Sequence, residues 1–367
     1  MKEYLVIFLL IYGFVTVLLI LVGFFRSLKK EARPVNDPIL LDEIIVIIPL
    51  RNELNRINGL VESLRNSVYL PKEIVFVDDH STDATSEYLK NNLQGLDMRV
   101  LSLPEGRNGK KEALRFGIEQ TQSKYILTMD ADVRFEATYF EYISSLEHAD
   151  MYVLPAVLVA NTLVQRLYEI DTILVNALNV ATAGWRRPIF ASGANLLYHR
   201  ACYDEVEDYA SHQHMASGDD TYLLRDFRNA NKDIRVVSGK SHGIVTETPQ
   251  SLKEFFDQRV RWAGKSGDMN DTLANALAIL QFVLALGFIV GMILLILSNH
   301  WRGVIALFTA KLIIDLVAYS PYFQRIGRLT TLLFLPIYEL LFPFYFAIML
   351  LLIGSYSPKW KDRPLKH

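Results

Sequence analysis

Residues 44–53 read IIVIIPLRNE and residues 74–83 read IVFVDDHSTD; in both, a short run of β-branched and apolar residues gives way at once to charged and polar ones. A half-buried strand would alternate, so unbroken runs of this length read as strands covered on both faces. Two further runs, Met98 to Leu103 and Tyr125 to Met129, follow at intervals filled by amphipathic helical stretches. Between about residues 40 and 160 the pattern predicts an α/β domain, a mostly parallel sheet covered by helices. Three of the strands end in polar clusters: Arg51-Asn52-Glu53, Asp78-Asp79-His80-Ser81 and Asp130-Ala131-Asp132. Open α/β sheets bind ligands beyond the carboxyl ends of their strands, so these clusters are expected to line one crevice. From about residue 160 to 270 the alternation loosens into longer helices, with one strand expected around Phe190 to Tyr198.

The flanks are apolar. Tyr4 to Phe25 carries no charged residue, and about 20 residues of helix rising 1.5 Å each cross a hydrocarbon core of ~30 Å. The run exceeds the apolar stretch of a signal peptide and no small-residue cleavage site follows, so residues 1–26 are expected to be a retained transmembrane anchor. Arg26, Lys29, Lys30 and Arg33 come next, which places the polar middle in the cytosol. Apolar runs return at Leu273 to Leu297, Gly303 to Tyr319 and Leu329 to Gly354, so residues 271–356 are read as transmembrane or interfacial helices. Three full crossings would carry the tail, residues 357–367, outside, whereas its Lys359, Lys361, Arg363 and Lys366 argue for the cytosol. Pro336, Glu339 and Pro343 reconcile the two if the last run is a broken, re-entrant or interfacial helix. Lys311 and Asp315, one turn apart in the middle run, are expected to pair inside the bundle. A net charge of −2 offers no basic excess for neutralising phosphates, which sets nucleic acid aside, and the single cysteine, Cys202, excludes an internal disulfide and a cysteine-based metal site.

Two aspartates one residue apart at a strand end, Asp130 and Asp132, suit a hard divalent cation that prefers carboxylate and phosphate oxygens. If the strand continued through them, both side chains would face the same way; a solvated helix cap explains the pair equally well in isolation. Asp79 follows a buried strand, where an acidic residue commonly meets a ribose hydroxyl or a base edge. The segment Gly106-Arg107-Asn108-Gly109-Lys110-Lys111 opens a helix with two glycines and three cations, a place for diphosphate or a solvated basic turn. Gly218-Asp219-Asp220 precedes another helix, and Gln258-Arg259-Val260-Arg261-Trp262 ends an amphipathic one just before the apolar runs return. Gln258, Arg261 and Trp262 share one helical face.

Taken in order, these segments resemble the family 2 glycosyltransferases, which carry a D, D-x-D, D, Q-x-x-R-W pattern on a GT-A fold. Residues 47–53 look like the opening strand and donor loop of that family, and residues 77–83 like its VDDGSTD segment, with His80 in place of the usual glycine. Gly109 to Leu114 resembles its G-K-x-x-A-L helix start, Asp130-Ala131-Asp132 its D-x-D, Gly218-Asp219-Asp220 the segment holding its base, and Gln258 to Trp262 its Q-x-x-R-W. Trp360-Lys361-Asp362-Arg363 looks like a W-x-G-R tail with aspartate for glycine. The resemblance implies a nucleotide-diphospho-sugar transferase domain over residues 40–270 that inverts configuration in one displacement. It implies Asp220 as general base, Asp130 and Asp132 as ligands of Mg²⁺ or Mn²⁺, and Pro49, Arg51, Glu53, Asp79, Lys110 and Asp130 as the donor site. It assigns Gly193, Asn195, Asp219, Gln258, Arg261 and Trp262 to acceptor or diphosphate, with Phe190 in the acceptor loop. Trp262 would stack under a sugar or acceptor ring.

The implied partners are a nucleotide sugar, by resemblance a UDP-sugar, a lipid or glycan acceptor, and the lipids of the cell membrane. Synthases that both polymerise and export sugar need a channel and more membrane helices than these, which favours transfer of one sugar to a lipid; a processive polysaccharide synthase is the alternative. A membrane module that binds a nucleotide sugar without catalysis is the alternative of another class. It predicts functional polar residues in the bundle, where only Lys311, Asp315 and Glu339 qualify; a third class, a catalytically silent scaffold, would be expected to have lost some of the aspartates, and none is lost.

Overall fold

The computed structural model describes residues 2–31, 36–208, 219–268, 271–355, 359–360 and 363–364. Two compact units emerge, a sheet unit from Glu31–Val159 and Phe190–Thr248 and a helical unit from Met1–Lys30, Ala160–Ile189 and Pro249–Pro364.

The anticipated strands open the sheet unit: β1 (Ile44–Leu50), β2 (Glu73–Asp78), β3 (Met98–Ser102) and β4 (Tyr125–Met129). They run parallel in the spatial order β3-β2-β1-β4. Every residue of β1 is buried, as its unbroken apolar run requires of a strand with neighbours on both sides. Pro49 is accommodated because β4 pairs with β1 only as far as Ile47, so its missing N–H leaves no gap there. Ile44, Val46, Ile48, Phe76 and Leu127 form the core with Leu60 and Leu64 of helix Asn58–Asn66. The chain steps from β1 outward to β2 and β3 and then returns to β4 on the other side of β1. Loops leaving β1 and β4 therefore part in opposite directions, and the crevice between them is where such a sheet binds ligands.

Later strands are short: β5 (Val133–Arg134), β6 (Met151–Val153), β7 (Ala156–Leu158), β8 (Asn195–His199), β9 (Ile234–Val236) and β10 (Ile244–Thr246). β8 lies antiparallel between β4 and β6, and β9 is parallel to β6. β5, β10 and β7 make a second sheet in that order. Two or three residues are too few to display a period, so most of these strands carry no pattern to read. The strand anticipated from Phe190 starts only at Asn195, because the Asn195 N–H bonds the Ser192 carbonyl at 3.0 Å and closes a turn through Gly193. Cys202 is half-buried and donates to Asp150 Oδ1 at 3.1 Å; burial and that carboxylate push its thiol up to about 11.

In the helical unit, Val6–Glu31, Thr272–Leu297, Trp301–Arg325 and Leu329–Ile353 are long and apolar enough to cross a membrane. They leave large apolar side chains outward, among them Phe14, Ile279, Ile305 and Phe344. The last run is not broken at its prolines, contrary to expectation. Leu329–Phe334 is 3-10 helix, and Leu335–Ser355 continues as one helix through Pro343. Pro336 falls in its first turn, where no N–H partner is needed.

Lys311 and Asp315 pair as anticipated, at 2.8 Å, and Glu339 also contacts the Lys311 ammonium. The Tyr12 hydroxyl donates to Asp315 Oδ1 at 2.5 Å, so the group ties three helices together, and all four residues are buried. Removing one member of a buried ionic group strands the others. Lys311→Met is expected to cost roughly 3–5 kcal/mol, and Lys311→Met with Asp315→Leu and Glu339→Leu to recover most of it, measured as unfolding in detergent. Equal stability of the single and triple variants would show that the charges are solvated.

The first helix runs Lys2–Thr16 and Gly23–Glu31 with a π-helical segment, Val17–Val22, between. Beside it lies helix Leu163–Gly184. Trp185 Nε1 donates to the Leu19 carbonyl at 3.3 Å, inside the π segment. Arg26 Nε donates to the Gly184 carbonyl at 3.3 Å and Lys30 Nζ to that of Ala183 at 3.0 Å, so two cations satisfy the last carbonyls of the neighbouring helix. The Arg26 guanidinium also lies 4.5 Å from the Trp185 ring centroid. The two backbones touch at Gly23 and Gly184: a Cβ on Gly184 would fall 1.8 Å from the Gly23 carbonyl oxygen.

Candidate active site

The loop after β1 is held by the loop after β2. Arg51 Nη1 donates to the backbone carbonyl of Asp79 at 2.5 Å and approaches its carboxylate at 3.9 Å. The Asn52 N–H donates to Ser81 Oγ, and the Thr82 N–H to Asn52 Oδ1 at 2.8 Å. Asn52 and His80 both stand at positive φ, 52° and 54°. That conformation favours glycine, the residue usual at position 80 in the family this chain resembles. His80 offsets its strain by a bond from Nε2 to the Arg107 carbonyl at 3.0 Å, which ties this loop to the glycine-containing one before Lys110. There Gly109 has φ 97° and caps helix Lys110–Glu119, a backbone state that a side chain would oppose.

Lys110, in the first turn of that helix, reaches Asp130 Oδ1 at 2.6 Å. Asp130 and Asp132 stand in a turn after β4, not in the strand, so the same-face argument does not hold. Ala131 between them is buried, the Asp130 side chain is partly exposed and that of Asp132 is largely buried, 21% exposed. Asp132 meets Arg56 at 3.7 Å, and Arg56 also pairs with Glu53 at 3.1 Å. Burial first, and then the Asp130 carboxylate, push Asp132 up to about 6. A cation placed between the two aspartates would relieve both effects. Among the described residues no three His, Cys, Asp or Glu side chains gather as a metal cage. Two carboxylates completed by phosphate oxygens and water are the ligand set Mg²⁺ accepts, so the residues present fit such an ion.

Asp220 lies in the first turn of the helix Asp219–Asn229. Its Oδ2 accepts the Gly193 N–H at 2.9 Å and its Oδ1 the Thr221 N–H at 2.8 Å. A Cβ built on Gly193 would sit 3.4 Å from Asp220 Cβ and 3.6 Å from Lys110 Nζ, so Gly193, Asp220, Lys110 and, through its ion pair, Asp130 converge. Asn195 is not part of this surface. It is fully buried, accepting from the Tyr139 hydroxyl at 2.5 Å and donating to the carbonyls of Pro155 at 2.8 Å and His242 at 3.1 Å. Its amide braces β8 and leaves nothing for an acceptor. Pro49 is likewise buried within β1. Glu53 is buried, and its N–H bonds Thr85 Oγ1 at 3.0 Å. Gly218 lies outside the described residues, as do Lys361 and Asp362 of the tail; Lys359–Trp360 and Arg363–Pro364 pair as two short strands.

In the helical unit, helix Leu252–Asp268 carries Gln258, Arg261 and Trp262. Gln258 Oε1 is buried and meets no partner among the described residues, a feature native structures tolerate chiefly where a ligand or water completes the site. Sequence reading passed over Arg56 and Arg259. The i, i+3 spacing of Glu53 and Arg56 was the available signal for the first.

Residues 45–176 match the family model described as glycosyl transferase family 2, and residues 125–355 that described as glycosyl transferase family group 2. A dodecaprenyl-phosphate galacturonate synthase of Rhizobium johnstonii is 32% identical over 30% of this chain and 33% of its own length. A poly-β-1,6-N-acetyl-D-glucosamine synthase of Staphylococcus epidermidis is 27% identical over 34% of this chain and 32% of its own. The chain thus spans about a third or less of the curated relatives it matches. Among solved structures, the mannosyltransferase PcManGT of Pyrobaculum calidifontis, in complex with GDP-Man and Mn²⁺, superposes with a TM-score of 0.54 at 15% identity, over 92% of this chain and 99% of that one. At that identity the likeness is one of fold, and it is the fold the strand order describes. With well over half of its length matched by a single family model, the chain belongs to the glycosyl transferase family group 2.

Proposed function

We propose that the protein is a membrane-anchored, inverting glycosyltransferase that moves one sugar from a nucleoside-diphosphate sugar to a lipid acceptor, with its sheet unit in the cytosol at the cell membrane. The observation that carries this reading is the convergence of Asp220, Gly193, Lys110 and Asp130 beyond the ends of β4 and β8. Asp79, Arg51 and Glu53 hold the nucleoside side of the donor, and Lys110 exchanges Asp130 for a diphosphate oxygen. The acceptor hydroxyl oxygen forms its bond to the anomeric carbon on the face opposite the diphosphate. The carbon–oxygen bond to phosphate breaks, the nucleoside diphosphate leaves, and Asp220 takes the hydroxyl proton. Gly193 and Thr221 aim the carboxylate by their N–H groups. Asp130 and Asp132 would hold Mg²⁺ or Mn²⁺, which when bound neutralises charge on the departing diphosphate. Arg261 is assigned to pyrophosphate or acceptor, and Trp262 to a sugar or acceptor ring.

The test is release of nucleoside diphosphate from a panel of nucleotide sugars by the full chain in detergent, with membrane-lipid extract and Mn²⁺, Mg²⁺ or chelator. Turnover is expected with metal, lost on chelation, and reduced at least about 10²-fold in Asp130→Asn. Labelled sugar in the lipid fraction supports the single-transfer reading; label in an insoluble polymer replaces it with the synthase. A folded protein that neither binds nor turns over any donor ends the enzymatic reading.

A further inference from the structure

Within the Q-x-x-R-W segment the resemblance gives Arg259 no role, yet Arg259 is only 4% exposed. A guanidinium persists in such a place only when it is paired and hydrogen-bonded. Helix Leu163–Gly184 supplies a charge partner and one hydrogen bond: Arg259 Nε lies 2.6 Å from Asp171 Oδ2, an ionic contact without hydrogen-bond alignment, and Nη2 donates to Thr172 Oγ1 at 2.7 Å. Asp171 is buried too and accepts from the Tyr338 hydroxyl at 2.8 Å, which comes from helix Leu335–Ser355. Fixed in this way, the guanidinium lies against two rings of its own helix, 4.2 Å from the Trp262 centroid and 4.9 Å from that of Phe255. Positions 255, 259 and 262 share one helical face. Phe255 in turn stacks on Tyr168 of helix Leu163–Gly184, with centroids 4.2 Å apart and planes 10° from parallel.

We propose that Arg259 is a positioning residue for Trp262: the ion pair with Asp171 sets the plane against which the indole rests. The inference rests on the reading of Trp262 as the platform for a sugar or acceptor ring. Tyr338 extends the pair to an apolar helix, so the set of the indole follows the packing of that helix. Lysine at position 259 keeps a charge for Asp171 but presents no plane and no fork of donors.

The measurement is a double-mutant cycle of Arg259→Lys and Trp262→Ala in the full chain, reading initial rates of nucleoside-diphosphate release with membrane-lipid extract, and thermal unfolding of each variant. Arg259→Lys is expected to lower kcat roughly tenfold or more while the donor KM stays within about twofold, because misplacing a binding group acts on the transition state. Trp262→Ala should lose at least as much, and the double variant no more than Trp262→Ala alone. Asp171→Asn, which keeps the shape of its partner but not the charge, should show the same non-additivity. Losses that multiply, or a wild-type kcat in Arg259→Lys, overturn the proposal while leaving Trp262 as platform. A wild-type rate in Trp262→Ala overturns the platform reading itself, and this inference with it.

Discussion

Asp220→Asn is expected to lower kcat by at least about 10²-fold, the low end of what a placed general base contributes, while donor affinity changes by less than about threefold. The geometry supports the separation. The carboxylate holds two N–H groups, those of Gly193 and Thr221, at 2.9 and 2.8 Å. An amide offers one acceptor oxygen, so one N–H loses its partner at a cost of about 1–3 kcal/mol, and the start of the helix stays in place. The side chains proposed to hold the donor stand on other loops and are untouched. Rates should be read at saturating donor and acceptor, with donor affinity from calorimetry. A variant that keeps more than a tenth of the wild-type kcat would mean that the proton goes elsewhere.

Gly184→Ala is expected to destabilise the protein strongly, against the usual sign of that substitution. Replacing a helical glycine with alanine ordinarily gains roughly 0.5–1 kcal/mol. Here the new methyl carbon would meet the Gly23 carbonyl oxygen at 1.8 Å, and backbone cannot swing aside as a side chain can. The helices must part, and parting stretches the bonds from Trp185, Arg26 and Lys30. We expect a loss of at least the ~1–3 kcal/mol typical of overpacking. Gly287→Ala is the control, because there the nearest atom, at 2.9 Å, belongs to the Phe8 ring, which can turn. Unfolding in detergent followed by tryptophan fluorescence reads both; equal stability of wild type and Gly184→Ala would deny the close contact.

How much of this was written in the chain depends on the scale of the feature. β1, β2 and β4 were legible because buried parallel strands must be largely apolar, and the polar residues that end them stood out against that run, whereas β3, at the sheet edge and only partly buried, was read from its place in the alternation with helices. The loops after β1, β2 and β4 were legible for the same reason. Asn195 was misread because a buried amide spent on Tyr139, Pro155 and His242 looks, in sequence, like one left for a ligand. The break assigned to Pro336 and Pro343 failed because proline costs little in a first turn and is tolerated inside an apolar helix whose neighbours re-satisfy the backbone. Arg259 was invisible because its partner is 88 positions away and only folding brings them together.

The buried group of Lys311, Asp315 and Glu339 also bears on how the chain is made. A span carrying one charge enters a bilayer at a cost of about 2.5–3.5 kcal/mol per charged residue at its centre. Lys311 and Asp315 sit one turn apart and neutralise each other within their own helix, so the span Trp301–Arg325 is prepared for insertion before its successor leaves the ribosome. Glu339 has no such companion in helix Leu335–Ser355; its partner is Lys311 on the helix before it. The last two spans are therefore expected to enter as a hairpin, and Lys311→Ala, which strands Asp315 and Glu339 alike, to hinder integration of both spans rather than of its own alone.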